Sequence, residues 1–208
     1  MKTRTLISLI CSLTINSFYT LNQPAAAEQL PSTPTANALK TASPDADDTN
    51  NLAAILVGKK YGYKDSAGKM AIAPRFDAAY EFFDGVAAVQ IGDKWGFINR
   101  SGQIVVAMEF DDAGSFSNGL AAVQVDEKWG FIDHEGEMAI APMFDEVETF
   151  SQGLAKVKVG DKWGFINQKG SIAIAPIYDE VASFENGTAW IRIGKKVGYV
   201  DRTGKFLQ

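Results

Sequence analysis

The feature that most constrains this chain is a short motif, lysine, any residue, glycine and an aromatic residue, that returns every 34 residues. A fixed period of this length is typical of a protein built from one supersecondary unit repeated in tandem. The copies are Lys60-Tyr61-Gly62-Tyr63, Lys94-Trp95-Gly96-Phe97, Lys128-Trp129-Gly130-Phe131, Lys162-Trp163-Gly164-Phe165 and Lys196-Val197-Gly198-Tyr199. The repeat therefore determines the architecture before any single residue is considered.

The third copy shows what one unit predicts. Residues 121–125 form a strand, Asp126-Glu127 a two-residue turn and residues 128–132 a returning strand, which together make a hairpin. A second turn contains Gly136, at a place where glycine recurs in every copy and accepts a left-handed backbone. Cutting the array before each first strand gives units 51–84, 85–118, 119–152, 153–186 and a shorter 187–208.

A third strand is predicted from Met138 to Pro142. Proline lacks the N–H that a sheet ladder needs, so this strand should lie at an edge or bend. Phe144 and Phe150 then lead back to the next unit, with aromatic equivalents in the other complete copies. Each unit is thus predicted as a three-stranded antiparallel meander with an aromatic return loop.

A two-residue turn also fixes which residues face each other. Counting outward from it places Gln124 across from Trp129, Val123 across from Gly130, and Ala122 across from Phe131. We expect the glycine to leave room for the neighbouring unit. We also expect the tryptophan and phenylalanine to fill the space between successive sheets.

The last unit departs from the others, with Val197 at the tryptophan position and Trp190 on the partner strand. The register predicts that Trp190 faces Tyr199 and lies diagonal to Val197, so the indole refills the same volume from the other side. Atypical end units are common in repeat arrays.

The predicted fold class is all-β, with tandem 34-residue three-stranded antiparallel meander repeats in an open curved array. A closed propeller-like arrangement is the alternative. We expect the open array because the final copy lacks its outer part and no strand from residues 1–50 is predicted to complete it.

These motifs resemble the WG (KWG) repeat family of bacterial proteins. The resemblance rests on Lys-Trp-Gly-Phe-Ile, a glycine turn, an Ile-Ala-Pro strand and Phe-Asp-Glu-Val, and it covers residues 51–208. Departures are Met108 for proline, and Tyr61 and Val197 for tryptophan. The resemblance implies a β-rich repeat, often exported, and brings no established catalytic residues.

Two N-terminal segments precede the array. Residues 1–27 are predicted as a signal peptide, with Lys2 and Arg4, an apolar run from Leu6, and cleavage after Ala27. The alternative is an uncleaved membrane anchor, but polar residues interrupt the run too often for a bilayer span. Cys11, the only cysteine, lies within this segment. Residues 28–50 are predicted as a flexible linker. The protein is therefore expected in the periplasm or outside the cell.

Few residues point to chemistry. His134 is the only histidine and occupies a turn position that varies between copies, so we predict a solvated side chain, not a general base. The aspartates that recur at one place are expected to cap the return loop, and the motif lysines to protect sheet edges. We predict no catalytic, cofactor-binding or metal-binding residues. The recurring aspartates are Asp77, Asp111, Asp145 and Asp179.

The net charge of −5 argues against nucleic acid as a partner. The recurring tryptophans favour buried packing, and stacking on sugar rings is the alternative. Recognition is expected where the copies differ. We therefore expect an exported, non-enzymatic scaffold for another envelope protein, with an envelope or extracellular glycan-binding module as the alternative. The variable positions are Tyr80, Gly114, Glu148 and Ala182 on the return loop, and Ser66, Arg100, His134, Gln168 and Arg202 on the turn.

Overall fold

The computed structural model describes residues 51–207. The predicted signal peptide, 1–27, and the predicted linker, 28–50, lie outside the described residues. Within residues 51–207 the chain consists of strands, turns and loops. This part of the chain contains no helix that is long and apolar enough to cross a bilayer.

Four kinds of strand repeat along the chain. The first strands of the hairpins are β1 (Ala53–Val57), β5 (Val86–Ile91), β9 (Ala121–Val125), β13 (Leu154–Val159) and β17 (Thr188–Ile193). The motif strands are β2 (Lys60–Lys64), β6 (Lys94–Asn99), β10 (Lys128–Ile132), β14 (Lys162–Asn167) and β18 (Lys196–Asp201). The third strands are β3 (Met70–Phe76), β7 (Ile104–Phe110), β11 (Met138–Phe144), β15 (Ile172–Tyr178) and β19 (Phe206–Leu207). Two-residue strands are β4 (Ala78–Ala79), β8 (Asp112–Ala113), β12 (Glu146–Val147) and β16 (Glu180–Val181).

The described chain divides into two compact units. The first comprises residues 51–125 and 132–137, and the second comprises 126–131 and 138–207. The first unit holds the sheet β1-β2-β3, the sheet β4-β5-β6-β7 and the pair β8-β9. The second holds the sheets β12-β13-β14-β15 and β16-β17-β18-β19. Each of these sheets is open, with an edge strand at either end, so the predicted all-β class and the tandem antiparallel meanders are confirmed.

Each return loop adds a fourth strand that the sequence did not predict. β4 pairs with β5 of the next hairpin, with Ala78 opposite Gln90, and β12 pairs with β13 in the same way. A tight turn then connects the return segment to that hairpin, with positive φ at Asp84 and Gly85. Asn118-Gly119 and Asn186-Gly187 occupy the same turn, and this dipeptide is a strong signal for a two-residue hairpin turn.

The predicted hairpin register is present in the equivalent hairpins of both units. Gln90 is opposite Trp95, Val89 opposite Gly96, and Ala88 opposite Phe97. In the last sheet Trp190 is opposite Tyr199, as predicted. The two-residue turns therefore set the pairing.

The proline-containing third strands β3 and β15 lie at sheet edges and are bulged, so the expectation that this strand lies at an edge or bends is confirmed. Tyr61 pairs with Phe76 and Tyr63 with Ile72, which leaves three residues of β3 opposite the single residue Gly62. A Cβ on Gly62 would lie 2.5 Å from the Ile72 carbonyl oxygen and 2.8 Å from the Pro74 nitrogen. The motif glycine thus makes room for the bulge in the third strand of its own repeat. The expectation that it makes room for the neighbouring repeat is wrong.

Within each unit one sheet stacks on the next. We call the sheet face that carries the motif aromatic residue the trailing face, and the opposite face the leading face. In the first unit Tyr63, Ile72 and Phe76 on a trailing face cluster with Ala87, Val89 and Ile98 on the next leading face. In the second unit Phe165, Ile174 and Tyr178 cluster with Ala189, Ile191 and Val200.

The return-loop phenylalanines complete this core. Each packs against the motif aromatic residue of its own repeat, with ring centroids 4.8 Å apart for Tyr63 and Phe82 and for Phe165 and Phe184. Such tilted aromatic pairs add to the stability gained from burial alone.

Candidate interaction surface

The recurring aspartates form a structural link between successive repeats. Lys60 Nζ donates to Asp77 Oδ1 at 2.6 Å, and the backbone N–H of Gly92 donates to Asp77 Oδ2 at 2.9 Å. Gly92 begins the hairpin turn of the next repeat, 15 residues on. The same lysine–aspartate pair forms between Lys94 and Asp111, Lys128 and Asp145, and Lys162 and Asp179.

This arrangement corrects two sequence-based expectations. The aspartates cap the hairpin turn of the next repeat, not their own return loop, because the return strand places them beside it. The motif lysines act as partners of the aspartates and not mainly as edge protection. Hydrogen bonds from Lys60 and then Gly92 lower the pKa of Asp77. The pKa of Asp179 is lowered by Lys162 and then Gly194.

The neighbouring acids are also paired in the second unit. Lys158 Nζ donates to Glu146 Oε1 at 2.5 Å, and Arg192 pairs with Glu180. Both pairs join the two-residue return strand to the first strand of the next hairpin. Acids that recur with the repeat are thus used to hold its strands together.

The prediction that the His134 side chain is free in solvent is wrong, because it is half-buried and packed. Its ring stacks on Phe116 with centroids 4.1 Å apart, and Nε2 lies 3.2 Å from the carbonyl oxygen of Asp84. Arg100 holds the same position one repeat earlier and lies over the Phe82 ring at 5.5 Å. This turn residue therefore covers the return-loop phenylalanine of the preceding repeat.

The tryptophans are packed to different degrees. Trp95 is only 8% exposed, which confirms buried packing at this position, whereas Trp129 and Trp163 are half-buried. Lys156 Nζ and Lys158 Nζ lie 5.4 and 5.6 Å from the centre of the Trp163 ring. Sequence reasoning could not separate these cases, because the motif is identical in all three copies.

In the first unit, the variable return-loop position lies close to the Trp95 indole. Tyr80 stacks on Trp95 with centroids 5.1 Å apart and planes 17° apart, and 45% of Tyr80 remains exposed. Phe83, three residues further on, is 52% exposed. We call the segment that carries both rings, residues 78–86, the return-segment surface.

The same position is polar two repeats further along the chain, at Glu148. Glu148 pairs with Lys156 at 2.5 Å and accepts a hydrogen bond from Ser183 Oγ at 3.0 Å. Gly114 and Ala182 complete the series. A constant backbone thus presents a different side chain at each repeat, which is the pattern expected of a recognition surface.

An open groove of about 560 Å³ lies beside β3 in the first unit. Its apolar lining includes Ala71, Ile91 and Ile104, and Arg75 donates to the carbonyl oxygen of Gly102 at its rim. Among residues 51–207, no group of three or more histidines, cysteines and acids is placed to hold a metal ion.

Comparison with known proteins supports the repeat directly. The profile of the family described as "WG containing repeat" matches residues 61–95, 95–129, 129–163 and 163–196. No curated protein matches the sequence.

Solved structures also resemble the chain. One, described as "Crystal structure of the eukaryotic initiation factor", is 16% identical with a TM-score of 0.53, over 76% of this chain and 52% of that one. Another, "KlHsv2 with loop 6CD replaced by a Gly-Ser linker", is 9% identical with a TM-score of 0.51, over 77% and 62%. The chain spans less than two thirds of either, and likeness at this identity shows the fold alone.

Proposed function

Because the chain belongs to the family of WG containing repeats, we propose that it is an exported, non-enzymatic scaffold that binds another protein of the cell envelope. The pattern of residues 1–27 supports export to the periplasm or beyond, since a charged start, an apolar run and small residues before Glu28 are typical of an export signal.

The observation that carries the binding role is the return-segment surface. Tyr80 and Phe83 are both about half exposed, and Trp95 supports the Tyr80 ring from behind. The segment is fixed at its next residue as well, because the Ala54 N–H donates to Glu81 Oε1 at 3.2 Å. Rigid exposed aromatic residues lose little entropy on binding and are typical anchors of protein interfaces.

The state of the recurring acids supports a non-enzymatic role. A general acid needs a pKa raised toward the working pH, whereas lysine and backbone N–H donors lower the pKa of Asp77 and Asp179. These carboxylates hold repeats together in several copies at once, and an active site needs one distinct place.

Affinity capture tests the proposal. The tagged full chain is incubated with detergent-solubilised envelope from its own host, and the eluate is analysed for bound protein and for sugar. We expect a protein in stoichiometric amount that is lost with the double variant Tyr80→Ala/Phe83→Ala. Ile104→Ala, an exposed apolar residue of the groove, is the matched control and should retain it.

A glycan ligand is the second candidate, because an exposed Tyr80 ring lying nearly parallel to Trp95 also suits stacking on a sugar. Polysaccharide in the same eluate without a stoichiometric protein, and its loss with Tyr80→Ala, would replace the first proposal by this one.

A further inference from the structure

The first sheet leaves uncovered a face that the same repeat buries elsewhere. Ala53 is exposed and Ile55 half-buried on its leading face. Their equivalents one repeat later, Ala87 and Val89, are buried against the preceding sheet. In the last sheet, Ala189 and Ile191 at these positions are buried in the same way.

The last sheet leaves uncovered the complementary face. Tyr199 is 53% and Val197 56% exposed on its trailing face. The residues equivalent to Tyr199, including Phe97 and Phe165, are almost completely buried. Tyr199 lies between Trp190 on one neighbouring strand and Leu207 on the other, so the open face has an apolar centre. Single exposed apolar residues are ordinary, but a contiguous group of this kind marks an interaction site.

We propose that the trailing face of the last sheet binds the leading face of the first sheet of a second copy of this chain, head to tail. The two faces are the pair that stacks inside each unit, where Phe165, Ile174 and Tyr178 meet Ala189, Ile191 and Val200. A second copy therefore continues an interface that the sequence already encodes several times.

One charge difference fits this contact. Lys64 stands on the leading face of the first sheet at the position of the buried Ile98 and Val200. An ammonium there is compatible with the aromatic faces of Trp190 and Tyr199, which attract a cation. Inside each unit this position lies in the buried core between two sheets and is apolar, because an unpaired ammonium would be costly there.

Sedimentation velocity of the full chain over a hundredfold range of concentration tests the proposal. A head-to-tail contact uses two different surfaces and leaves one of each free, so the average mass should rise steadily with concentration. Val197→Asp blocks the trailing face and Ile55→Asp the leading face, and each variant alone should remain monomeric.

The decisive sample is an equimolar mixture of the two variants. One open trailing face and one open leading face remain, so the mixture should form a dimer of one copy of each and nothing larger. Dimer formation also shows that both variants are folded. Ile177→Asp, at an exposed isoleucine of β15, is the control and should assemble as the wild type does.

Two results would overturn the proposal. A wild-type chain that stays monomeric at every concentration shows that this face does not bind a second copy. If Ile55→Asp still assembles like the wild type, the contact joins two trailing faces or lies elsewhere.

Discussion

At the scale of single residues, glycine is required for two different reasons, which are crowding by a neighbouring backbone at some positions and a left-handed backbone conformation at others. Gly164 lies under the bulge of β15, where a Cβ would be 2.6 Å from the Ile174 carbonyl oxygen and 2.6 Å from the Pro176 nitrogen. Gly187, in a tight turn, has open space around it but a φ of 81°. The first position is closed to any side chain by the neighbouring strand, and the second only by its own dihedral angle.

Gly164→Ala should therefore destabilise the protein by about 2–3 kcal/mol, as overpacking against a backbone that cannot yield does. Gly187→Ala should cost less, about 1 kcal/mol, because it only forces a left-handed residue. Urea unfolding of the two variants measures the difference. Equal losses would show that β15 is free to move away from Gly164.

The turn Asp126-Glu127 is strained, since both residues have positive φ, 49° and 64°. Glu127→Gly should raise the free energy of unfolding by about 1 kcal/mol, because glycine adopts this conformation without a steric penalty. Lys195 occupies the equivalent turn position but does not have a positive φ. Lys195→Gly should therefore give no gain in stability. A stabilisation of the same size in both would assign the effect to something other than strain.

At the scale of elements, successive repeats within each compact unit are joined by a two-residue strand and by an aspartate that binds the motif lysine of its own repeat and the hairpin turn of the next. Both features involve residues that are far apart in the sequence, such as Lys162, Asp179 and Gly194. The strands, turns and register could be predicted because they depend on residues within a few positions. The partners of Asp179 could not, because nothing in a period of the sequence shows which turn lies beside the return strand.

This link predicts a pH dependence. The pKa of Asp179 is lower in the folded state, so its stabilising contribution is complete above about 4, the ordinary value, and is lost as the pH falls through the lowered pKa. Melting temperatures between pH 6 and 2 should fall steeply at the acid end for the wild type and less steeply for Asp179→Asn. An unchanged profile for Asp179→Asn would contradict the link.

The last hairpin offers a test of compensation between strands. Trp190 lies opposite Tyr199 and diagonal to Val197. The three preceding repeats instead carry tryptophan at the position of Val197, on the motif strand. Val197→Trp should be better tolerated in a Trp190→Ala background, with a coupling of about 0.5 kcal/mol or more in a double-mutant cycle. Additive effects would show that the two positions do not share one volume.

At the scale of the whole molecule, the period of 34 residues is sufficient for the fold class but not for the surface. The sequence identified the variable positions, including Tyr80 and His134, yet only the structure shows that Tyr80 lies on Trp95 and that His134 covers Phe116. Both contacts join residues of different repeats. Comparing equivalent positions of the repeats in the sequence does not show which of them touch. Constant residues thus hold the sheets, and the residues that vary between repeats occupy the surface.

Hydrogen–deuterium exchange of the full chain, alone and with the captured envelope protein, tests this division most directly. We predict that the partner slows exchange of backbone amides in the return-segment surface, residues 78–86, and leaves the groove strand β7 unchanged. Protection confined to the groove residues 71–75 and 101–104, with none in residues 78–86, would contradict the account.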